Sequence, residues 1–364
     1  LIVAGRQMEP RLAAAVTELA AATGYPILAE PTSQLRLGSH DRARVITAYD
    51  AIARAHAASL DPDLVIRFGD MPTSKALREW IGALDGAAQL VVDQDAAWND
   101  PTRKAGLVVR AEPVALAAAL AEAVPVLHVN QGRASSESQW LALWQLADEA
   151  AGSAIRAGIR ADGAVSEPAV WAFLADVFAD GENVYTASSM PIRDQEAFLG
   201  TGPAQVRFLA NRGANGIDGL ISSAAGAAAA TRRPTWAILG DLGLHHDSNG
   251  LAALRSVEAP VRIVCLNNDG GGIFEFLPQA GQVSRDEFEA AFGTPIGVNP
   301  ERLAADYGIP HVRIESPGEL GDLPDEHVLA EVVVDRRTNV ELHERLWGLT
   351  EEAIATALAT VSPG

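Results

Sequence analysis

Short apolar runs alternate with segments in which alanine and leucine recur at helical spacing, and this pattern continues along most of the chain. The predicted strands lie at 1–5, 25–30, 63–70, 89–95, 107–113, 183–186, 206–219 (with a glycine-rich turn), 236–239, 261–266, 311–315 and 327–339. The predicted helices lie at 10–23, 44–58, 75–84, after 113 to about 124, and at 169–179, 220–230, 288–292, 300–307 and in the tail to 358. This alternation predicts an α/β fold made of two doubly wound parallel sheets.

The length of 364 residues favours two domains, because single cores rarely grow that large. We predict a Rossmann-like domain at 1–130, a linker with a docking helix at 131–165, and a second doubly wound domain at 166–364. The linker opens with a polar break at 131–136. A helical stripe follows, which is more typical of packing than of chemistry: Trp140, Leu143, Trp144 and Leu146.

Composition narrows the class of protein. Hydrophobic residues make up 48% of the chain, the mean hydropathy is +0.08, and no long uncharged apolar run is present, so we expect a soluble protein without a membrane span. A net charge of −19 argues against nucleic acid or an anionic membrane as a partner. The single cysteine, Cys265, lies in an apolar run, which excludes a disulfide framework and favours the cytoplasm.

The chain begins at Leu1, directly on a predicted strand. We expect an upstream segment to precede it, because leucine is not a natural start.

One turn in the first domain has the position of a nucleotide site. Gly69 follows a predicted strand, and Thr73, Ser74 and Lys75 begin the next helix, where a phosphate could bind. However, neither a GxGxxG nor a Walker motif is present. We therefore favour an ordinary turn and helix cap and assign no ligand.

The stretch 236–279 contains the strongest candidate for chemistry. Two predicted strands in it end in Gly240-Asp241 and Asn267-Asn268, and a helical crossover between them would make the strands parallel neighbours. Asp241, Asn268 and the Gly270 carbonyl could then bind Mg²⁺ together. The run Gly270, Gly271 and Gly272 would let the backbone approach a phosphate and offer it amide donors. The alternative is a pair of ordinary strand-end turns.

The amino-acid sequence around these residues resembles that of a known family. A GD pair followed about thirty residues later by NN is similar to the signature of thiamine-diphosphate enzymes. The longer stretches GDLGLHHDSNGL and NNDGGGIFEFLPQ resemble the MenD-type 2-succinyl-5-enolpyruvyl-6-hydroxy-3-cyclohexene-1-carboxylate (SEPHCHC) synthases, as do ANRGANGIDG, the SSMPIR turn, FGTP and DRRTNVELHERLW. The resemblance is dense in the second half and architectural in the first. It implies that 1–130 is the central domain and 166–364 the thiamine-diphosphate and Mg-binding (PP) domain.

The resemblance also implies roles for particular residues. Asp241, Asn268 and Gly270 would hold Mg²⁺ or Mn²⁺. Ile217 would support the bent form of the cofactor. The implied cofactor-binding set is Ile217, Gly240, Asp241, Leu242, Asn268, Gly270, Gly271, Gly272, Ile273 and Phe274. Plain core packing is the alternative for the apolar members.

The family reaction is a transferase reaction of menaquinone biosynthesis. It decarboxylates 2-oxoglutarate on thiamine diphosphate and adds the resulting carbanion to isochorismate. The implied substrate-binding residues are Ser189, Arg193, Arg212, Phe274 and Leu277, in which the guanidinium groups suit planar carboxylates. Surface arginines that pair with helix ends are the alternative. The family forms its active site between subunits, so a homodimer or homotetramer is implied.

Two histidines beside this stretch could be mistaken for a zinc site. His245 and His246 have no matching ligand set elsewhere, and they stay unassigned. For Asp247 we expect a helix cap.

In one respect the sequence departs from the family. MenD-type proteins carry an N-terminal domain whose glutamate activates the cofactor, and no stretch here matches it. We therefore assign no catalytic residue in this chain and expect these 364 residues alone to bind the cofactor weakly and not to turn over. Two other hypotheses stay open: another thiamine-diphosphate carboligase, such as an acetolactate-synthase relative, and a non-catalytic ligand-binding remnant.

Overall fold

The computed structural model describes residues 1–95, 97–130 and 139–361, with the backbone alone for 125–130. The polar break expected at 131–136 lies outside this range. The chain divides into two compact units. The first comprises Leu1–Gly158, Gly200–Pro203 and Leu346–Gly364, and the second comprises Ile159–Leu199 and Ala204–Arg345.

Both units are built from strands and helices in alternation. The strands are β1 (Ile2–Ala4), β2 (Ile27–Ala29), β3 (Val45–Ile46), β4 (Leu64–Phe68), β5 (Ala88–Val92), β6 (Leu107–Val109), β7 (Asn183–Thr186), β8 (Arg207–Ala210), β9 (Thr235–Gly240), β10 (Val261–Asn267), β11 (His311–Ile314) and β12 (Val328–Val333). The helices are α1 (Leu12–Thr23), α2 (Tyr49–Ala55), α3 (Lys75–Ala83), α4 (Pro113–Asn130), α5 (Gln139–Asp162), α6 (Glu167–Val177), α7 (Met190–Phe198), α8 (Leu220–Thr231), α9 (Asp241–His246), α10 (Gln279–Gln282), α11 (Arg285–Phe288), α12 (Pro300–Tyr307) and α13 (Arg336–Ala359).

The first unit is a parallel six-stranded sheet in the order β3-β2-β1-β4-β5-β6. Its central strand β1 pairs with β2 and β4, so that Ile2 lies between Ile27 and Ile66. Side chains alternate between the two faces of the sheet. Ile2 and Ala4 therefore join the core formed with α1, while Val3 joins the opposite core, which contains Trp80 and Trp144. This is the doubly wound architecture that the sequence predicted.

The second unit repeats the architecture with the strand order β11-β12-β10-β9-β7-β8, again all parallel. β9 and β10 are neighbours in register, with Leu239 beside Cys265 and Gly240 beside Leu266. The prediction that these two strands end side by side is confirmed. Apolar residues of β9 and β10 pack with α8 in one core, which buries Cys265 completely.

The turn after β4 is an ordinary helix cap, as expected. The Ser74 hydroxyl accepts a hydrogen bond from the Leu77 backbone N–H at 3.0 Å. The Thr73 hydroxyl donates to the Glu30 carboxylate at 2.8 Å. The start of α3 is therefore satisfied by side chains of the protein itself.

Several predicted elements are wrong in their limits. The helix expected to end at about 124 continues to Asn130, and the strand expected at 107–113 ends at Val109. The helix expected at 44–58 begins only at Tyr49, because Val45–Ile46 forms strand β3 and the Asp148 carboxylate accepts hydrogen bonds from the backbone N–H groups at 47 and 48. The strand expected at 327–339 ends at Val333. Asp335 there accepts from the backbone N–H groups at 337 and 338 and so caps α13. The SSMPIR segment, expected as a turn, leads directly into helix α7.

The limits predicted for the two domains and the linker stay predictions. Trp144, in the stripe assigned to the docking helix, is buried in the core of the first unit. None of the helices in the described ranges is both long and apolar enough to cross a membrane.

Candidate active site

The ends of β9 and β10 meet at Asp241. This residue begins α9 directly after β9 and is only 1% exposed. The backbone N–H groups of Asp241, Gly270 and Leu242 lie near its carboxylate, and Gly270 lies just beyond the end of β10. The two strand ends therefore lie close together.

Burial changes the acidity of this carboxylate. It raises the pKa of Asp241 to about 6, although the three backbone amides act in the opposite direction. Above that pH the group is an anion held in a largely apolar setting. Such a carboxylate gains strongly from a bound cation.

Three side-chain oxygens of residues that line this edge are buried without a hydrogen-bond partner in the described part of the chain: Oε2 of Glu167, Oδ2 of Asp241 and Oδ1 of Asn268. The last two, on Asp241 and Asn268, belong to the two strand ends. Buried polar atoms are almost always paired, and an ion is one of the standard explanations for an exception. Both atoms are hard oxygen donors of the kind that Mg²⁺ prefers. The donor set therefore fits a small divalent cation.

Asn268 is held in one orientation by Glu167, the first residue of α6. The Asn268 side-chain amide donates from Nδ2 to Oε1 of Glu167 at 3.0 Å. Glu167 is 1% exposed. Burial, followed by the negative charge of the nearby Asp194 carboxylate, raises the pKa of Glu167 well above its ordinary value.

The three glycines after β10 fold into a tight loop. A Cβ atom on Gly270, where φ is +139°, would lie 2.1 Å from the Gly293 carbonyl oxygen. A Cβ on Gly272 would lie 2.6 Å from Nδ2 of Asn268. Both positions therefore exclude a side chain.

The expectation that these glycines offer free amide donors to a phosphate is wrong for two of them. The Gly271 amide donates to the Gly293 carbonyl at 2.7 Å, and the Gly272 amide donates to the Gly270 carbonyl at 3.0 Å. The Gly270 amide lies near the Asp241 carboxylate. The glycines thus allow the loop to fold tightly, because they carry no side chain. The Gly270 carbonyl still has a second lone pair for a metal ion.

A cavity of about 300 Å³ opens at this edge of the sheet. Of the residues predicted for cofactor, metal and substrate, it is lined by Ser189, Arg193, Arg212, Ile217, Gly240, Asp241, Leu242, Asn268, Gly270, Gly271, Gly272, Ile273 and Phe274. Leu277 does not line it and is 41% exposed.

The two arginines reach this cavity from different elements. Arg193 lies on α7, and Arg212 follows β8. Arg193 donates from Nη1 to the Ser189 carbonyl at 2.6 Å. Ser189 itself has φ +75° and ψ −138°, a conformation that is rare for residues other than glycine.

Contrary to expectation, the Asp247 side chain does not cap the segment that directly follows it but bonds to the start of another helix. Its carboxylate accepts from the Ser222 backbone N–H at 2.7 Å and from the Ser222 hydroxyl at 3.0 Å, in the first turn of α8. His245 and His246 are exposed on α9 and do not line the cavity. In the ranges that the structure describes, no group of three or more His, Cys, Asp or Glu side chains is arranged to hold a metal ion.

Reasoning from sequence missed three polar residues of the cavity, Glu167, Ser188 and Asn215. The sequence places Glu167 only at a helix start, where a glutamate needs no further explanation. Asn215 lies in the glycine-rich turn and has φ +58°. Its position between two glycines in that turn is the only signal that the sequence offers.

The chain is similar to a set of named proteins. Residues 201–334 match the family described as thiamine pyrophosphate enzyme, C-terminal TPP binding domain. Relatives named 2-succinyl-5-enolpyruvyl-6-hydroxy-3-cyclohexene-1-carboxylate synthase include that of Geobacillus thermodenitrificans, 40% identical over 98% of this chain and 60% of the relative. The synthase of Chloroflexus aurantiacus is 38% identical over 100% of this chain and 62% of its own length. That of Bacillus cytotoxicus is 36% identical over 95% of this chain and 59% of its own length.

The chain thus spans about three fifths of the length of these relatives. The match to the thiamine pyrophosphate domain contains β9, β10 and the glycine loop, and so includes Asp241 and Asn268. The resemblance and the fold class inferred from the sequence are confirmed. Residues 201–334 match the C-terminal TPP binding domain of the thiamine pyrophosphate enzymes, and nearly the whole chain is similar to MenD-type SEPHCHC synthases.

Proposed function

We propose that this chain holds thiamine diphosphate and a divalent cation in the cavity at the carboxyl ends of β9 and β10, as part of a SEPHCHC synthase. The proposed reaction is the decarboxylation of 2-oxoglutarate and the addition of the remaining fragment to isochorismate in menaquinone biosynthesis. The observation that carries the proposal is the pair of buried, unpartnered oxygens on Asp241 and Asn268. Their place within the matched domain supports it.

The proposed metal ligands are Oδ2 of Asp241, Oδ1 of Asn268 and the Gly270 carbonyl. These are three hard oxygens, and water and diphosphate oxygens would complete an octahedral shell. Mn²⁺ suits the same donor set. The tight glycine loop keeps side chains away from the place where the diphosphate would lie.

Bound thiamine diphosphate supplies the electron sink that decarboxylation of a 2-oxo acid requires. The apolar residues of the chain shape the space around it. Ile217, Ile273 and Phe274 line the cavity and reduce the access of water to it. We assign to Ile217 the support of the cofactor.

Arg193 and Arg212 are the proposed partners of substrate carboxylates. Both line the cavity, and a guanidinium group can form two parallel hydrogen bonds to a carboxylate. Ser189 lines the same side and offers a hydroxyl group. Both proposed substrates carry two carboxylates, so two guanidinium groups suit their charge. Leu277, outside the cavity, keeps only a proposed role at its rim.

Three broader features belong to the same proposal. The working protein is a homodimer or homotetramer whose active site forms between subunits, and it lies in the cytoplasm. Its substrates are small molecules, and nucleic acid is not a partner, consistent with the net charge of −19.

Product analysis tests the proposal. The natural gene product is incubated with thiamine diphosphate, Mg²⁺ and 2-oxoglutarate, with or without isochorismate, and a parallel reaction contains pyruvate instead. The expected result is the release of CO₂ from 2-oxoglutarate. A product with the mass of SEPHCHC is expected only when isochorismate is also present. Turnover of pyruvate without that product would instead identify another carboligase. Cofactor binding with no turnover of either 2-oxo acid would identify a ligand-binding protein.

A further inference from the structure

Next to the proposed metal ligand Asn268 lies a network of buried polar side chains to which the proposed reaction assigns no role. It consists of Glu167 on α6, Asp194 on α7 and His343 on α13, which are 1%, 1% and 3% exposed. All three belong to the second unit. Burying ionisable groups costs free energy, so such a network requires an explanation.

The contacts of this network connect the backbone of α13 to Asn268. His343 donates from Nδ1 to the Asn339 carbonyl at 2.7 Å, which leaves Nε2 facing Oδ1 of Asp194 at 2.9 Å. Asp194 lies close enough to Glu167 for its charge to raise the pKa of Glu167, and Oε2 of Glu167 and Oδ2 of Asp194 have no hydrogen-bond partner in the described part of the chain. Glu167 then accepts from Nδ2 of Asn268 at 3.0 Å.

His343, at the end of the network away from Asn268, is held firmly. The His343 ring packs edge-on against Phe198 and Phe276, with ring centroids 5.2 Å and 5.0 Å away. Phe276 ends the short helical turn Gly272–Phe276 that follows the glycine loop. The orientation of His343 is therefore fixed both by its hydrogen bonds and by its packing.

The side chain of asparagine has an oxygen end and a nitrogen end of nearly the same size. Only the oxygen can bind a cation, because the NH₂ group is a donor without a lone pair for the metal. An acceptor placed at the nitrogen end fixes which end faces the cavity. Glu167 is in that place, and Oδ1 of Asn268 is the end left without a partner.

We infer that Glu167 is a positioning residue for the metal site, which holds Asn268 so that Oδ1 faces the cation, with Asp194, itself held by His343, beside it. The inference rests on the proposed function, since it concerns the same site. It adds a residue that does not itself bind the metal. Changes to groups that orient metal ligands typically weaken metal affinity by about 10-fold to 100-fold.

Two substitutions of similar volume separate orientation from folding. Glu167→Gln keeps an oxygen that accepts from Asn268 and provides an NH₂ group that can donate to Asp194. Glu167→Met fills the same space without an acceptor. Binding of Mn²⁺ in the presence of saturating thiamine diphosphate is measured by the electron paramagnetic resonance signal of the free ion, on the purified natural gene product. We expect Glu167→Met to weaken Mn²⁺ binding at least about 10-fold and Glu167→Gln to stay within about threefold of the unchanged protein.

A second background keeps the test decisive if Glu167→Met also loosens the fold. In an Asn268→Asp protein either side-chain oxygen can face the cation, so an orienting acceptor is no longer needed. Glu167→Met should then weaken Mn²⁺ binding less than about threefold in that background. An equal loss in both backgrounds would show a merely structural role and overturn the inference.

The outcomes also distinguish this inference from the proposed function. If the unchanged protein binds no Mn²⁺ in the presence of thiamine diphosphate, the proposed metal site itself is wrong. If the unchanged protein binds Mn²⁺ and Glu167→Met binds it equally well, only the role of Glu167 is wrong.

Discussion

Arg193 donates a hydrogen bond of 2.6 Å to the backbone carbonyl of Ser189, the residue with the most unusual backbone conformation in the cavity. At φ +75° and ψ −138° a Cβ atom is strained, and strain of this kind costs of the order of 1–3 kcal/mol. Strained residues are found disproportionately at ligand sites. The start of α7 thus combines a cavity arginine with a conformation that glycine would adopt more easily.

Glycine at 189 should therefore stabilise the fold relative to alanine. We expect the free energy of unfolding of Ser189→Gly to exceed that of Ser189→Ala by about 1 kcal/mol or more, because glycine carries no Cβ strain at this φ. Urea unfolding followed by tryptophan fluorescence provides the measurement. At Ser188, which is not in a positive-φ conformation, the order should reverse, with alanine more stable than glycine. An alanine variant at 189 as stable as the glycine variant would show that the backbone is not strained.

The two cavity arginines should matter for substrate affinity more than for cofactor affinity. We expect Arg212→Ala to raise KM for 2-oxoglutarate by about 10-fold or more, because a charge-assisted hydrogen bond contributes roughly 1.5–3 kcal/mol. Arg193→Lys should also raise KM, because lysine lacks the planar fork. Steady-state kinetics of the natural gene product provide the values. Arg233→Ala, an exposed change in the same unit, is the control. An unchanged KM for both cavity variants would place the substrate carboxylates elsewhere.

Asp148 gives the first unit a pH-dependent stability. Burial raises its pKa from an ordinary 3.8 to about 6, although it accepts hydrogen bonds from the backbone N–H groups of Thr47 and Ala48. Between these values the folded state binds more protons than the unfolded state. The contribution of this group to stability is therefore greatest below about pH 3.8 and is lost as pH rises through about 6.

The substitution Asp148→Asn should remove this loss, because the asparagine oxygen can still accept both hydrogen bonds and carries no charge. At pH 8 we expect the variant to be more stable than the unchanged protein by an amount on the order of 2 kcal/mol, and at pH 4 the difference should nearly vanish. Urea unfolding at the two pH values is the measurement. Glu79→Gln, at an exposed ion pair with Lys75, should change neither value appreciably. A variant that is less stable at pH 8 would contradict this account of Asp148.

The sheets could be predicted from the sequence because each strand is a local apolar run and parallel strands follow a regular alternation. The same rule predicts that Asp241 and Asn268 lie together, because both follow strands that end at one edge of the sheet. Strand β3 could not be separated from the helix after it. It is two residues long, and the group that ends it, Asp148, lies about a hundred positions away.

The same reason explains why the residues behind the metal site were missed. Glu167 contacts Asn268 across 101 positions, and Asp194 contacts His343 across 149. Each of these residues also has a sufficient local explanation, such as a glutamate in the first turn of a helix. The prediction of a free amide at Gly271 was wrong for a related reason, since Gly293, which accepts from it, lies on a distant segment.

The central claim is that Asp241 and Asn268 hold a divalent cation that in turn holds the diphosphate. The most direct measurement is calorimetric titration of the natural gene product with thiamine diphosphate, with Mg²⁺ and after its removal by a chelator. We expect Mg²⁺-dependent binding that Asp241→Ala reduces at least about 100-fold and that His246→Ala, an exposed change on the same short helix, leaves unchanged. Binding that persists without Mg²⁺, or that Asp241→Ala does not weaken, would contradict the claim.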